Sequence, residues 1–370
     1  MEHPGPAPTT PTSVGASPCP PPARPLTVSV VVPVRDEIDR IAQVIAAIES
    51  QTFQPDEVVV VDGCSADGTA AWCREAASTR PWLRLVDNPQ RTVPAALNIG
   101  LRAATGDIWA RMDAHADYPP DYLASAVALL RTRPDVAAVG SLMTTAGVGT
   151  WGRAVAAVLS RPVGLGGARH RIDGASGPIG HVFTGAYRRQ RLIEAGGYDE
   201  RLLANEDFEA DYRLRAAGAT LWLDRSLTSI WYVRESLPAL ARQMWRYGYY
   251  KSLTLTLHPR SLRPRQLVPP SLVLALAGTA VTRPRWSAAL AASYLALSGA
   301  VGARAAVQDG ASGLQGAVAL PVVHLCWGAG LVVGGLGHLA RFGRLRPVEG
   351  PLPPAMTAAA ARWRPRSGAA

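Results

Sequence analysis

Residues 28–62 read VSVVVPVRDEIDRIAQVIAAIESQTFQPDEVVVVD. Two apolar, β-branched runs, Val28 to Val34 and Glu57 to Val61, flank a segment in which Ile41, Val44, Ile45 and Ile48 recur at three- and four-residue spacing. The pattern predicts a buried strand, an amphipathic helix from about Ile38 to Ser50 and a second buried strand, the signature of a parallel sheet. The alternation continues outward. Asp67-Gly68-Thr69 opens a second helix, Leu83 to Val86 is a third strand, Val93 to Ala104 a third helix, and Ile108 to Met112 a fourth strand. Pro119-Pro120 starts a helix to about Arg133. The expected fold class is therefore α/β, a Rossmann-like, mostly parallel sheet with helices on both faces.

Further on, residues 144–180 are Gly-rich and aperiodic and are expected to form either a mobile loop over the site or a plain linker. Val182 to Ala186 reads as a strand, Arg188 to Ala195 as a short helix, Glu206 to Ala217 as a longer one, and Thr220 to Leu223 as a strand. Before the sheet, residues 1–25 hold nine prolines and little that could be buried, so they are expected to be a disordered tail. They show no continuous apolar stretch behind a basic start, so no secretory signal is expected and the N-terminal domain should stay in the cytoplasm.

The net charge of +10 is confined to one end. Residues 1–259 carry 26 basic and 26 acidic side chains, whereas residues 260–370 carry 12 arginines against Asp309 and Glu349. The excess lies beside apolar segments, which argues for membrane lipid and against nucleic acid as the partner. Cys19, Cys64, Cys73 and Cys326 have no metal-type spacing and no disulfide framework. A reducing compartment fits them.

Three apolar segments follow the sheet: Leu267 to Val281, Trp286 to Gly302 and Ala317 to Leu336. A bilayer span needs about 20 apolar residues, with about 17 as a lower limit. The third segment passes, the second is marginal, and the first is short if Pro269-Pro270 start its helix. Two crossings keep Arg283, Arg285, Arg341, Arg344, Arg346, Arg362, Arg364 and Arg366 on the inner side, whereas three place them outside, against the positive-inside bias. The division is thus a tail (1–25), a catalytic domain (26–258), a membrane region (259–340) and an Arg-rich cytoplasmic tail (341–370). Gly330 and Gly334 form a GxxxG, a pattern of close helix packing that a Gly-rich helix also produces by chance.

Polar clusters fall at the carboxyl ends of the predicted strands, where such sheets bind ligands: Pro33 to Glu37, Asp62 to Asp67 and Asp113 to Asp117. The Asp62 carboxylate suits a uracil or ribose donor, while Asp67 fits a helix cap as well as a ligand. Asp113 and His115 share a face of an extended strand and together suit Mn²⁺ or Mg²⁺ on a diphosphate. Glu206, Asp207 and Glu209 start a helix, where acids also complement the dipole. Clustered acids raise one another's pKa, which a base for a sugar hydroxyl requires, but spacing does not say which acid serves. Gln243, Trp245, Arg246, Tyr247 and Lys251 are either an interfacial helix with snorkelling cations or a sugar- and diphosphate-binding set. There is no GxGxxG after the first strand and no GxxxxGK[ST], so dehydrogenase and P-loop readings fail.

The stretches VSVVVPVRDE, VVVVDGCSADGT, AALNIGLRAATGDIWARMDAHADY, FTGAYRRQRLIEAGGYDE, NEDFEADYRLRAAG and RQMWRYGYYK, spanning about residues 27–265, together resemble the family 2 inverting glycosyltransferases of GT-A fold. DAHA, NEDFE and the Tyr-Gly-x-x-Lys run before RQLVPP are similar to the succinoglycan-type exopolysaccharide glucosyltransferases of bacteria. The resemblance implies transfer of a sugar, glucose from a UDP donor in that subfamily, to a polyprenyl-diphosphate-linked saccharide at the bacterial plasma membrane. It implies nucleotide-sugar contacts from Pro33, Arg35, Glu37, Asp62, Asn98 and Asp113, a metal on Asp113 and His115, and Asp207 as base with Glu206 beside it. Gln243, Trp245, Arg246 and Tyr247 match the QxxRW element. His115 stands where the family's DxD has its second Asp, and Tyr247 where it has Trp. The His115 departure leaves a competing expectation, a non-catalytic nucleotide-sugar sensor or scaffold. A nucleotidyltransferase would need a Gly-rich triphosphate loop after the first strand.

Overall fold

The computed structural model describes residues 24–165, 175–339 and 345–353. Residues 1–23, the segment 166–174 within the expected loop or linker, residue 340 of the expected membrane region, and 341–344 and 354–370 of the expected Arg-rich tail lie outside the described residues. The first half runs β1 (Val28–Val34), α1 (Ile38–Glu49), β2 (Glu57–Asp62), α2 (Thr69–Thr79), β3 (Leu83–Asp87), α3 (Val93–Ala103) and β4 (Ile108–Arg111). Strands β3, β2, β1 and β4 lie side by side, all parallel. Alternate residues of β1 explain the two helical layers. Val28, Val30, Val32 and Val34 pack with Ile41, Ile45 and Ile48 on one face, and Val31 packs with Leu97 and Leu101 on the other. At Gly100 even a methyl would overlap the Val31 side chain, so glycine lets α3 close on the sheet.

The second half is β5 (Ala116–Asp117), α4 (Tyr122–Thr132), β6 (Val136–Ala146), α5 (Gly149–Leu159), α6 (Pro162–Leu165), β7 (Gly177–Pro178), β8 (Ala186–Arg188), α7 (Arg189–Glu194), α8 (Glu206–Ala216) and β9 (Thr220–Tyr232). Here the sheet becomes mixed. β8 inserts antiparallel between β4 and β6, β9 runs parallel to β6, and β5 and β7 pair antiparallel with β9. The mostly parallel expectation holds for one half only. Four local differences accompany this. β6 forms over a segment whose sequence predicts no strand; β9 extends to Tyr232 through a register shift opposite Ser141/Leu142; the strand expected at 182–186 lies at Ala186–Arg188; and the described part of 144–180 holds the end of β6, the helices α5 and α6 and the short strand β7. α5 is buried on all sides over 154–159, with Val155, Val158 and Leu159 in one cluster with Leu320 and Val323.

α9 (Leu237–Leu257) then leads to α10 (Val268–Thr282), α11 (Pro284–Asp309) and α12 (Gly313–Leu339). Helices α11 and α12 are long and apolar enough to cross a bilayer, whereas α10 has 15 residues. Leu295, Leu297 and Val307 of α11 are exposed, unlike the apolar side chains of a soluble core helix. α12 lies directly on α9. A side chain at Gly330 would overlap the Trp245 carbonyl, one at Gly334 would overlap the Ser252 hydroxyl, and one at Gly248 would overlap the Trp327 carbonyl. The GxxxG is thus a contact face, and His338 adds a bond of 3.0 Å from Nδ1 to the Ser252 hydroxyl.

Gly330→Leu should therefore lower the thermal midpoint of the detergent-solubilised protein, by overpacking worth about 1–3 kcal/mol. Gly335→Leu, at a position open on all sides, should leave it in place. Equal midpoints for the two variants would contradict this packing.

Candidate functional site

The carboxyl ends of β1 and β4 and the amino end of α8 converge with α9 on a cleft of about 650 Å³. That volume suits a drug-sized or nucleotide-sized ligand. Pro33, Asp113, His115, Glu206, Asp207, Gln243, Arg246 and Tyr247 all line it, although they span more than 200 positions of sequence.

At the end of β4 the chain turns. The strand stops at Arg111, and the Ala116 amide reaches back to the Asp113 carbonyl at 3.3 Å, so Asp113 and His115 share the cleft through a tight turn and not through an extended strand. Arg111 Nε and NH2 grip the two Asp113 oxygens at 2.6 and 2.9 Å, while its NH1 lies 3.6 Å from Glu206 Oε1. Burial alone would lower the Arg111 pKa, but Asp113 and Glu206 hold it well above the ordinary value. Sequence reasoning missed this residue, because a lone arginine at a strand end carries no motif of its own.

His115 Nε2 is 3.1 Å from Glu37 Oε1. Burial lowers the His115 pKa, helped by Arg234 and Arg40, so the imidazole is neutral at neutral pH. Burial pushes Glu37 up to about 7, with Asp67 and Asp113 adding to the rise.

The loops after β1 and β2 are stitched together by their own polar groups. Asp62 is buried and accepts from the Ser65 hydroxyl at 2.5 Å and the Ser65 amide at 3.1 Å. Asp67 accepts from the Thr69 amide and from the Ile38 amide, both at 3.0 Å, which is the capping role that competed with a ligand role in the sequence. Arg35 is largely exposed, its stem against Gly63 and its NH1 3.5 Å from the Arg91 carbonyl.

Five of the expected contacts, Arg35, Glu37, Asp62, Asn98 and Trp245, are not among the residues that line the cleft. Asn98 is buried, donates to the Tyr198 carbonyl and to Glu200 Oε1 at 2.8 and 2.9 Å, and accepts from the Tyr198 amide at 2.8 Å. Its amide is fully engaged in anchoring the loop before α8. Trp245 is 39% exposed on the side of α9 away from the cleft lining, because its backbone lies against Gly330.

The three acids of α8 separate cleanly. Glu209 is fully buried, held by Arg213 at 2.8 Å and by His258 Nε2 at 2.8 Å, and these partners keep its pKa low despite burial. It is a structural ion pair and leaves the candidates for base. Glu206 is buried against Arg111, and burial with the Asp207 charge pushes it up to about 7. Asp207 opens into the cleft, with Oδ1 accepting from the Phe208 amide at 2.7 Å and Oδ2 3.8 Å from His181 Nε2. Asn205 enters the helix at φ 64, a left-handed conformation that asparagine tolerates, and its amide donates to the Tyr247 carbonyl at 3.1 Å.

From α9, Arg246 donates to the Leu203 carbonyl at 2.9 Å and Gln243 lies 3.3 Å from the Tyr247 hydroxyl. Lys251 does not snorkel as an interfacial lysine would. It is 2% exposed, with Nζ 3.9 Å from the Phe208 ring centre, and burial with Arg263 pushes it down to about 7.

Residues 29–195 match the family model Glycosyl transferase family 2. The chain is 32% identical over 311 residues to the succinoglycan biosynthesis protein ExoA of Rhizobium meliloti (strain 1021), covering 81% of this chain and 92% of that protein. The chain belongs to glycosyl transferase family 2. It is also 22% identical over 237 residues to a dolichyl N-acetyl-α-D-glucosaminyl phosphate 3-β-D-2,3-diacetamido-2,3-dideoxy-β-D-glucuronosyltransferase of Methanococcus voltae, over 62% of this chain and 74% of that one. Among solved structures, the mannosyltransferase PcManGT from Pyrobaculum calidifontis, in complex with GDP-Man and Mn²⁺, superposes with a TM-score of 0.57 at 22% identity, over 85% of this chain and 88% of its own. The fold is GT-A and the protein is a glycosyltransferase.

Proposed function

We propose that this family 2 enzyme catalyses inverting transfer of a sugar, glucose from a UDP donor, to a polyprenyl-diphosphate-linked saccharide in bacterial exopolysaccharide or cell-surface glycan synthesis. The observation that carries the reading is the placement of Asp207 in one cleft with Asp113, His115 and Arg246, beside a helix whose other face packs on a candidate membrane span.

The reaction is a single displacement. Asp207 takes the proton of an acceptor hydroxyl, whose oxygen bonds to the anomeric carbon as the bond from that carbon to the diphosphate breaks. The nucleoside diphosphate leaves with the electron pair and configuration inverts. Arg246, a cation on the cleft wall, stabilises the departing diphosphate. Asn98 and Asn205 act indirectly, by holding the loop before α8 and the base itself.

The donor set fits a divalent ion. A carboxylate offers about four lone-pair directions and Arg111 takes two of those on Asp113, which leaves oxygen lone pairs beside the His115 imidazole, the donor types a divalent ion accepts. Asp113 and His115 would hold Mn²⁺ or Mg²⁺, which when bound supplies charge to the leaving diphosphate.

Residues 26–258 form the catalytic domain in this reading, 259–340 the membrane region and 341–370 a cytoplasmic tail. The enzyme lies at the bacterial plasma membrane, with α11 and α12 crossing it, the lipid as partner and the cleft at the cytoplasmic face. ExoA's name refers to succinoglycan biosynthesis, which supports a role in exopolysaccharide synthesis, and the Methanococcus relative's name refers to a dolichyl-linked sugar, which supports a lipid-linked acceptor.

Asp207→Asn should lower nucleoside-diphosphate release about 10²–10⁴-fold, the usual size of a general-base contribution, while nucleotide affinity stays within about twofold. Asp113→Ala should lose both. Transfer at the parent rate by Asp207→Asn would overturn the assignment of the base. A topology reporter fused after Arg366 should read as cytoplasmic, and a periplasmic signal would overturn the two-crossing arrangement.

A further inference from the structure

Beyond α12 the chain returns to the sheet domain. Residues 345–353 lie along the end of α7 and the loop that leads from it to α8. The Leu352 amide donates to the Ile193 carbonyl at 2.7 Å, and the Leu352 side chain is buried in one cluster with Leu192 and Tyr198. The approach is close because the loop offers two glycines. A side chain at Gly196 would overlap Val348 and the Gly350 carbonyl, and one at Gly197 would overlap Asn98 Oδ1 and press on Leu352.

The contact continues to the cleft through three successive residues. Arg201 Nη2 donates to the Arg346 carbonyl at 2.8 Å while the same guanidinium grips Asp199 at 2.6 Å. Leu202 is fully buried with Leu253 and Leu257 of α9, and Leu345 packs against that cluster. Leu203 lines the cleft, and its carbonyl accepts from Arg246 Nη2 at 2.9 Å. Arg246 is exposed, so this bond gives a long, otherwise rotatable side chain its direction. Asn98 and Arg213 fix the first part of the loop, at Tyr198 and Gly197, and the returning segment reaches on to its last part.

We propose that residues 345–353 form a strap that positions Arg246 for the departing diphosphate, acting through Arg201, Leu202 and Leu203, with Leu352 as the pin that seats it. The proposal rests on the reading of Arg246 as the cation that meets the diphosphate. Leu352 and its neighbours touch no substrate and are positioning residues. Their effect is specific in kind. Charge builds on the diphosphate as its bond to the anomeric carbon breaks, so a guanidinium held in place beforehand stabilises the transition state more than the bound donor. A misplacement of about 1 Å, caused by a change remote from the reacting atoms, can cost about 10²-fold in rate. Loss of the strap therefore reads in kcat and leaves donor binding in place.

The test is steady-state kinetics of nucleoside-diphosphate release with the full-length protein in detergent and a lipid-linked acceptor extract. Leu352→Asp, which puts a charge into the apolar seat, should lower kcat about 10–10²-fold with the donor KM unchanged within about threefold. Leu352→Met, which keeps the volume and the apolar character, should restore the parent kcat. Should Leu352→Asp fail to fold, Val348→Asp, at a half-buried position of the same segment, carries the same test. Combining the strap variant with Arg246→Ala should cause no loss beyond that of Arg246→Ala alone, whereas a segment with a merely structural role would add its own loss in full. Parent-level kcat in the strap variant, or fully additive losses in the combination, would overturn the proposal. Arg246→Ala at the parent rate would instead show that the reading of Arg246 itself failed, so the two failures are distinguishable.

Discussion

One buried guanidinium holds the site together. Arg111 ends β4, the last strand of the parallel half, and meets both Asp113 on the following turn and Glu206 at the start of α8. Without a cation there, the carboxylates of Asp113, Glu206 and Asp207 would oppose one another in one cleft. Removing one partner of a buried ion pair typically costs about 3–5 kcal/mol because it leaves a charge unpaired, and here it would leave two. The same contact joins the half of the sheet that carries the strand-end acids to the helix that carries Asp207. The catalytic geometry and the joining of the two halves are therefore one interaction.

A second constraint runs between the site and the candidate membrane helices. α9 lines the cleft with Gln243, Met244, Arg246 and Tyr247, and its opposite face meets the glycines of α12 so closely that backbone touches backbone. Small residues allow that approach in a helix pair with little hydrophobic drive of its own within lipid. Glu209 contributes from below, its pairing with His258 at the end of α9 fixing that helix against α8. An acceptor presented from the bilayer would thus reach a cleft whose wall is continuous with the anchor.

The parallel half was legible because runs such as Val58 to Val61 are buried on both faces and because strand-end acids announce a binding edge. Asp113 and His115 were legible by that route and Asp207 through the acid cluster that starts a helix together with the family resemblance, and all three line one cleft, although the turn after Arg111 replaced the expected extended strand. Other features left no readable pattern. α5 is built from Gly, Ala and Val, whose small side chains blur the helical period, so a buried helix looked like a linker. Asn98 and Trp245 sit in motifs yet turn to internal duties, one holding the Tyr198 loop and the other yielding its face to α12. Glu209 and Asp207 are two residues apart and chemically alike, and only their neighbours, Arg213 and His258 against an open cleft, tell them apart. Leu352 and the Ile193 carbonyl that its amide meets are far apart in sequence, and nothing in a single sequence joins them.

The measurement that bears most directly on the central claim is the structure of the product: labelled sugar transferred from a UDP-linked α-donor to a lipid-linked acceptor, with the anomeric configuration of the new bond read by NMR and the released nucleotide quantified. The account predicts a β linkage and one nucleoside diphosphate per sugar transferred, dependent on a divalent ion. A retained α linkage, release of pyrophosphate, or donor binding with no transfer to any lipid-linked acceptor would contradict it.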